Sequence, residues 1–134
     1  MVTREDLESF LIRLDVEYQE LDEGMFLVRT RNGGYPLVMS YAPPLLLLRM
    51  KVMDLPDGSG NEALYRTLLE LNASDVVHGA YGIEDGELII SDTLELETLD
   101  FVEIQASVES IHLAASGHME RIRDLAGVAG TEEG

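Results

Sequence analysis

The sequence predicts a single α+β domain with an antiparallel sheet, in the order helix, strands, helix, hairpin, long helix. Apolar residues recur at helical spacing in three stretches and alternate with polar residues in the stretches between them. Acidic turn segments such as Asp22-Glu23-Gly24 and Glu84-Asp85-Gly86 separate pairs of extended runs, as in β-hairpins. The length of 134 residues fits one domain, which we expect over residues 1–126, with a flexible acidic tail over residues 127–134.

The first helix is predicted to begin after Thr3, which forms a capping box with Asp6. Four extended runs follow the helix, and together they predict an antiparallel meander. Pro43 and Pro44 lack the N–H groups that a strand ladder uses, so they predict a bend or an edge between the last two runs. The helix has an apolar stripe of Leu7, Phe10, Leu11 and Leu14, and the runs cover residues 16–21, 25–31, 37–42 and 45–53.

The second half of the chain predicts a helix, a hairpin and a longer helix. A second capping box, Ser59 with Glu62, opens the second helix, and Asn72 suits its end. The hairpin strands are predicted over residues 76–83 and 88–93. The last helix is the longest, with an apolar stripe of Phe101, Ile104, Val108, Ile111, Ala115, Met119 and Ile122.

The charge balance excludes several classes of partner. Nine Lys and Arg against 26 Asp and Glu give a formal charge of −17, which repels nucleic acid and anionic lipid. No apolar run approaches the ~20 residues that span a bilayer. The first residues do not resemble a secretory signal, so we expect a cytoplasmic protein.

The sequence shows no reactive constellation, so we expect a protein that is not an enzyme and uses no cofactor or metal. It has no cysteine and no nucleophile elbow or phosphate-binding loop. His112 and His118 lie on one predicted helix, about 240° apart, and so cannot chelate one ion together. A small-molecule binder or hydrolase that uses His78 with nearby carboxylates remains as an alternative.

One face of the central strands combines apolar and basic side chains. In the run over residues 45–53, alternation assigns one face to the core and leaves a mixed face on the other side. Two interpretations of this mixed face remain open: a helix covers it while the basic tips reach water, or it is an exposed partner-binding surface. The expected core residues are Leu46, Leu48, Met50, Val52, Phe26 and Val28, and the mixed face carries Met25, Leu27, Arg29, Arg31, Leu45, Leu47, Arg49 and Lys51.

The element order, with three segments of the middle of the chain, resembles the type III secretion chaperone fold and in particular the YbjN-like family. The segments are an apolar strand ending before a polar loop, a helix, and a glycine-led hairpin that closes in an acidic stretch. Their sequences are LLLLRMKVMDL over residues 45–55, LYRTLLELN over residues 64–72 and GAYGIEDGELIISDTLELETL over residues 79–99. The resemblance covers residues 3 to about 124.

The resemblance implies a non-enzymatic homodimer that holds an extended segment of a partner protein. An extended peptide docks by its main chain on a sheet edge and by alternate side chains in apolar hollows. The candidate partner contacts are Leu7, Phe10, Leu11, Leu27, Leu45 and Leu47, with Arg29, Arg31, Arg49 and Lys51 selecting acidic partners. The candidate dimer contacts are Leu64, Tyr65 and Leu68 of the second helix. A regulatory or sensory adaptor that docks to a folded partner is the main alternative.

Overall fold

The computed structural model describes residues 1–30, 34–57 and 61–127. Within these ranges the element order confirms the predicted α+β class. Arg31, Ser59 and all of the expected acidic tail after Gly127 lie outside them. The elements are α1 (Arg4–Arg13), β1 (Glu17–Asp22), β2 (Met25–Arg29), β3 (Leu37–Ala42), β4 (Leu45–Asp54), α2 (Glu62–Ser74), β5 (Ala80–Glu84), β6 (Glu87–Glu95) and α3 (Phe101–Ala126).

The strands form one six-stranded antiparallel sheet in the order β1-β2-β3-β4-β6-β5. The first four strands are the expected meander, and β6 pairs with β4 so that β5 lies on the outside. The sheet therefore has two edges, β1 and β5. Pro43 and Pro44 lie in the turn between β3 and β4, where their missing N–H groups leave the ladder intact.

The helices pack on one face of the sheet, and their buried residues join those of the strands in a single core. The alternation of β4 is confirmed, since its predicted core residues are at most 4% exposed. Burying one such side chain contributes about 1.5–3 kcal/mol to stability. The buried strand residues on this face are Phe26, Val28, Leu37, Met39, Leu46, Leu48, Met50, Val52, Tyr81, Leu88 and Ile90.

The first capping box is present as predicted. Thr3 Oγ1 accepts from the Asp6 N–H at 3.1 Å, and an Asp6 carboxylate oxygen accepts from the Thr3 N–H at 3.0 Å. The Thr3 N–H and, to a smaller extent, the Thr3 hydroxyl stabilise the Asp6 carboxylate and lower the pKa of Asp6. The N-terminus is also joined to the end of β6, because the Val2 N–H donates to the Leu96 carbonyl at 3.0 Å.

The expected limits of α2 are wrong at both ends. Its N-cap is Asn61 rather than Ser59, and the Asn61 side chain donates to the Pro56 carbonyl at 3.1 Å instead of capping the helix. The helix continues past Asn72 to Ser74. Asn72 lies within α2 and does not end it, and its side-chain amide bonds to the backbone of β5.

The strand β5 begins at Ala80, four residues later than predicted. Gly79 has a φ of +94°, and a Cβ there would lie 2.7 Å from the Ser91 carbonyl oxygen. This glycine turns the chain into the sheet, so residues 76–79 do not extend the strand. At the C-terminal end of the domain, α3 runs from an Asp100 capping box to a left-handed Gly127. Within the described ranges, no helix is long and apolar enough to span a membrane.

Candidate partner-binding surfaces

The mixed face of the sheet is not covered by a helix of the described residues. The buried residues of all the helices belong to the core on the opposite face. Strand pairing places Leu27 and Val38 side by side, and Leu47 lies across from Ser40. We call this surface the open sheet face; its larger apolar members on β2, β3 and β4 are Met25, Leu27, Val38, Leu45 and Leu47, of which Met25 is 39% exposed and the others are half-buried.

Two basic residues of the open sheet face, Arg49 and Lys51, are already paired with acids. Arg49 lies 2.7 Å from Glu84 of β5, and Lys51 lies 2.9 Å from Glu87 of β6. The hydrogen bonds that Lys51 donates to Glu87 and Asp54 raise the pKa of Lys51. A partner that used these cations would have to displace carboxylates of this chain, which weakens the expected selection of acidic partners by Arg49 and Lys51. Arg29 is exposed at the end of β2, and Arg31 is outside the described residues.

The α1 residues expected to bind a partner lie mainly in the core. Leu7 and Leu11 are 0% exposed, so in this conformation they are not available to another chain. Phe10 is half-buried, with its ring centroid 6.2 Å from that of Phe101. Of the apolar contacts expected from the sequence, Leu27, Leu45 and Leu47 lie together on the open sheet face.

The α2 residues expected at a dimer contact are divided between the core and the surface. Leu64 and Leu68 are buried, whereas Tyr65 is 38% exposed. Tyr65 borders an apolar groove of about 270 Å³ between α2 and β5, together with Leu69 and Ile83, which sequence reasoning missed. Leu69 follows Tyr65 by one helical turn, so a second apolar stripe beside the buried one was the signal for it.

Hydrogen bonds fix the position of β5 against α2 and α3. The Tyr81 N–H donates to Asn72 Oδ1 at 2.7 Å, and Asn72 Nδ2 donates to the Tyr81 carbonyl at 3.2 Å. The Tyr81 hydroxyl lies 2.8 Å from His118 Nδ1 and donates to the Ala114 carbonyl at 3.2 Å. Burial, followed by the charge of Asp75, raises the pKa of Tyr81, so its hydroxyl stays protonated. This anchoring makes β5 a rigid wall of the groove.

The surroundings of His78 do not form an enclosed pocket. His78 lines an open groove of about 330 Å³ with Asp75, Glu109 and His118. Ser110 Oγ is occupied by the His78 backbone, accepting from its N–H at 2.9 Å and donating to its carbonyl at 3.1 Å. Among the described residues, no group of three His, Cys, Asp or Glu side chains could hold a metal ion. The groove therefore gives no support to the alternative of a hydrolase that uses His78.

Known structures share this fold. A chain of the ExoU–SpcU heterodimer, from the type III secretion system of Pseudomonas aeruginosa, is similar with a TM-score of 0.68 and 15% identity, over 90% of this chain and 97% of that chain. A chain of the complex between the type III secretion chaperone SycH of Yersinia pestis and a fragment of YscM2 is similar with a TM-score of 0.64 and 14% identity, over 86% of this chain and 98% of that chain.

The protein YbjN of E. coli, described as a candidate transcription regulator, is also similar, with a TM-score of 0.64 and 14% identity over 90% of this chain and 96% of that chain. No curated protein matches the chain. The predicted resemblance to type III secretion chaperones and YbjN is confirmed. A family model described as CesT_Tir_1 matches residues 2–127, nearly the whole length, and the chain therefore belongs to this family.

Proposed function

We propose that this chain is a non-enzymatic, protein-binding chaperone that holds an extended segment of a partner protein. The observation that carries the proposal is the open sheet face, where Leu27, Leu45 and Leu47 lie on strands without a helix of the described residues above them. An apolar sheet surface of this kind marks an interaction site. An extended segment can use it through alternate side chains, without any reactive group.

The structural relatives support a protein partner. The similar chains come from structures of two-protein assemblies, ExoU with SpcU, SycH with a YscM2 fragment, and ExsC with ExsE. The similarity to them extends over most of both chains. We propose that the present chain likewise binds another protein.

Photo-crosslinking tests the proposal. A photoreactive amino acid replaces Leu47 on the open sheet face, and a control protein carries it at Val102, which is 66% exposed on α3. We expect a specific cellular protein to be crosslinked at position 47 and not at position 102. Hydrogen exchange of the purified complex then shows whether the partner is bound as an extended segment. If position 47 enriches no protein over position 102, the proposal is wrong; if the bound partner stays folded, the chain is an adaptor.

We also propose that the chain forms a homodimer through the groove between α2 and β5. Tyr65, Leu69 and Ile83 expose apolar surface beside β5, whose outer edge pairs with no strand in the described part of the chain. A twofold axis at this edge would pair β5 with its symmetry mate and bring the two α2 helices together, since the same patch serves both subunits. Of the three residues expected at the dimer contact, Tyr65 keeps that role in the proposal. Leu64 and Leu68 are buried, so they pack in the core instead of touching the second subunit.

A further inference from the structure

The outer edge of β1 is a second surface suited to an extended chain. No strand of the described residues pairs with it. The residues of β1 are exposed apart from the half-buried Tyr18. An unpaired edge presents a row of N–H and C=O groups that can hydrogen-bond to a further strand.

Acidic side chains lie along both faces of this edge. Glu17 pairs with Arg29, and Asp22 pairs with Met25, so both acids lie on the open sheet face. A bulge after Glu20 brings Asp22 onto that face. Glu20 itself pairs with Phe26 and therefore lies on the helix-covered face.

Of the described residues, two cations lie near these acids and leave the edge negative. The Arg4 guanidinium lies 3.3 Å from Glu20, and Arg29 stands opposite Glu17 at the end of the neighbouring strand. Glu23 in the following turn adds a further exposed acid. On the helix-covered face, Glu8 of α1 shares Arg4 with Glu20, at 3.9 Å from the guanidinium. A strand added outside β1 would therefore meet more negative than positive charge on both of its faces.

We propose that the outer edge of β1 binds a basic extended segment of the partner protein. The segment would carry two basic residues on one face, opposite Glu17 and Asp22, with one uncharged residue between them opposite Gln19. A third basic residue on its other face would lie beside Glu20. This inference rests on the proposed function and adds the partner's charge and the edge that it uses.

The same charges disfavour a second copy of this chain at β1. Two β1 strands placed edge to edge would bring carboxylates of like charge together, which is destabilising. Charged edge strands also protect sheets from uncontrolled pairing. The edge thus discriminates by charge, because an acidic strand is repelled while a basic strand gains ion pairs along with its main-chain hydrogen bonds.

Nuclear magnetic resonance titration of the full chain with three synthetic peptides tests the proposal. The peptides are as long as β1 and share a valine and threonine background, with Lys, Gln or Glu at the three positions defined above. We expect the Lys peptide to bind most tightly and to shift the amide signals of β1. We expect added salt to reduce its advantage over the Gln peptide, because exposed charges are screened.

Variants that remove charge from β1 test whether its acids cause the tighter binding of the Lys peptide. The double variant Glu17→Gln/Asp22→Asn keeps side-chain shape, and the new Asn can still accept the Glu23 N–H that Asp22 binds at 3.0 Å. We expect it to bind the Lys peptide about two- to twentyfold more weakly, given the strength of exposed ion pairs. The matched control Glu97→Gln/Glu120→Gln removes two exposed acids elsewhere and should leave binding unchanged.

The outcomes separate this inference from the proposed function. If the Gln or Glu peptide binds as tightly as the Lys peptide, or if β5 signals move instead of those of β1, the inference is overturned while segment binding stands. If no peptide binds, the acids of β1 only guard the edge and the inference is again overturned. In that case photo-crosslinking at Leu47 decides the proposed function independently.

Discussion

The two edges of the sheet are built differently. The outer strand β5 is fixed by partly buried polar contacts, since Asn72 bonds to the Tyr81 backbone and the Tyr81 hydroxyl reaches His118. It presents apolar surface at Ile83. The strand β1 is exposed, and Arg4 of α1 reaches it through a partly exposed ion pair with Glu20. One sheet thus offers an anchored apolar edge and an acidic edge, and a partner's chemistry decides which of them it can use.

The largest expected effect comes from the entry into β5. The substitution Gly79→Ala places a Cβ 2.7 Å from the Ser91 carbonyl in a backbone with φ of +94°. We expect the free energy of unfolding to fall by about 2–4 kcal/mol, as the strain combines with a backbone clash. Urea unfolding measures this change.

The control for this variant is Gly86→Ala in the turn between β5 and β6. Gly86 also has a positive φ, of +77°, but a Cβ there would meet no atom within 4 Å. Only the left-handed strain remains, about 1–2 kcal/mol. Equal losses in the two variants would show that the close contact with Ser91 does not hold β5 in place.

The next effect concerns the apolar edge as a dimer contact. Leu69 is 69% exposed, so Leu69→Glu should preserve the fold but place a charge in the proposed interface. We expect the dimer to dissociate about 30-fold more readily, which corresponds to about 2 kcal/mol. Light scattering over a concentration series measures it, with Val102→Glu as a matched exposed control. A wild-type chain that is monomeric throughout, or a dimer unaffected by Leu69→Glu, would contradict the assignment.

The smallest expected effect is the response to acid, which should differ between the Asp6 cap of α1 and the contact of Asn72 with β5. The pKa of Asp6 in the folded protein is lowered from 3.8 by its bonds with Thr3. The stabilising contribution of the Asp6 carboxylate is therefore complete above pH 3.8 and is lost as the pH falls through the folded-state pKa. We expect the stability difference between the wild type and Asp6→Asn to shrink below 3.8 in urea unfolding.

The matched control for acid sensitivity is Asn72→Ala beside β5. The bonds between Asn72 and the Tyr81 backbone contain no titrating group. The stability lost in this variant should thus stay constant over the same pH range. If the stability losses of Asp6→Asn and Asn72→Ala change in parallel with pH, the acid response does not come from the Asp6 cap.

The element order and the core face could be predicted because both depend on local patterns. The alternation of β4 places Leu46 and Leu48 on the buried face whatever the neighbouring strands are. Gly79 shows where such patterns fail. Its conformation is set by the approach of the Ser91 carbonyl from β6, which a local apolar run does not reveal.

The candidate surfaces were harder to predict because they depend on which strands become neighbours. Arg49 of β4 meets Glu84 only because β6 pairs with both β4 and β5 and lies between them, and this ion pair changes the expected role of the arginine. Periodicity identified Leu7 and Leu11 as an apolar stripe but could not separate a core stripe from a docking stripe. The position of Asn72 likewise suggested a helix end, while its partner lies in a later strand.

The bond between the Val2 N–H and the Leu96 carbonyl joins the start of the chain to a residue that follows β6. During synthesis, the start of α1 can reach this position only after the ribosome has released Leu96. Contacts so distant in sequence are slow to form, because the long loop between the two residues has to close first. A nascent chain that stops before β6 therefore cannot form this bond, and its N-terminus is joined to the domain only after Leu96 has emerged from the ribosome.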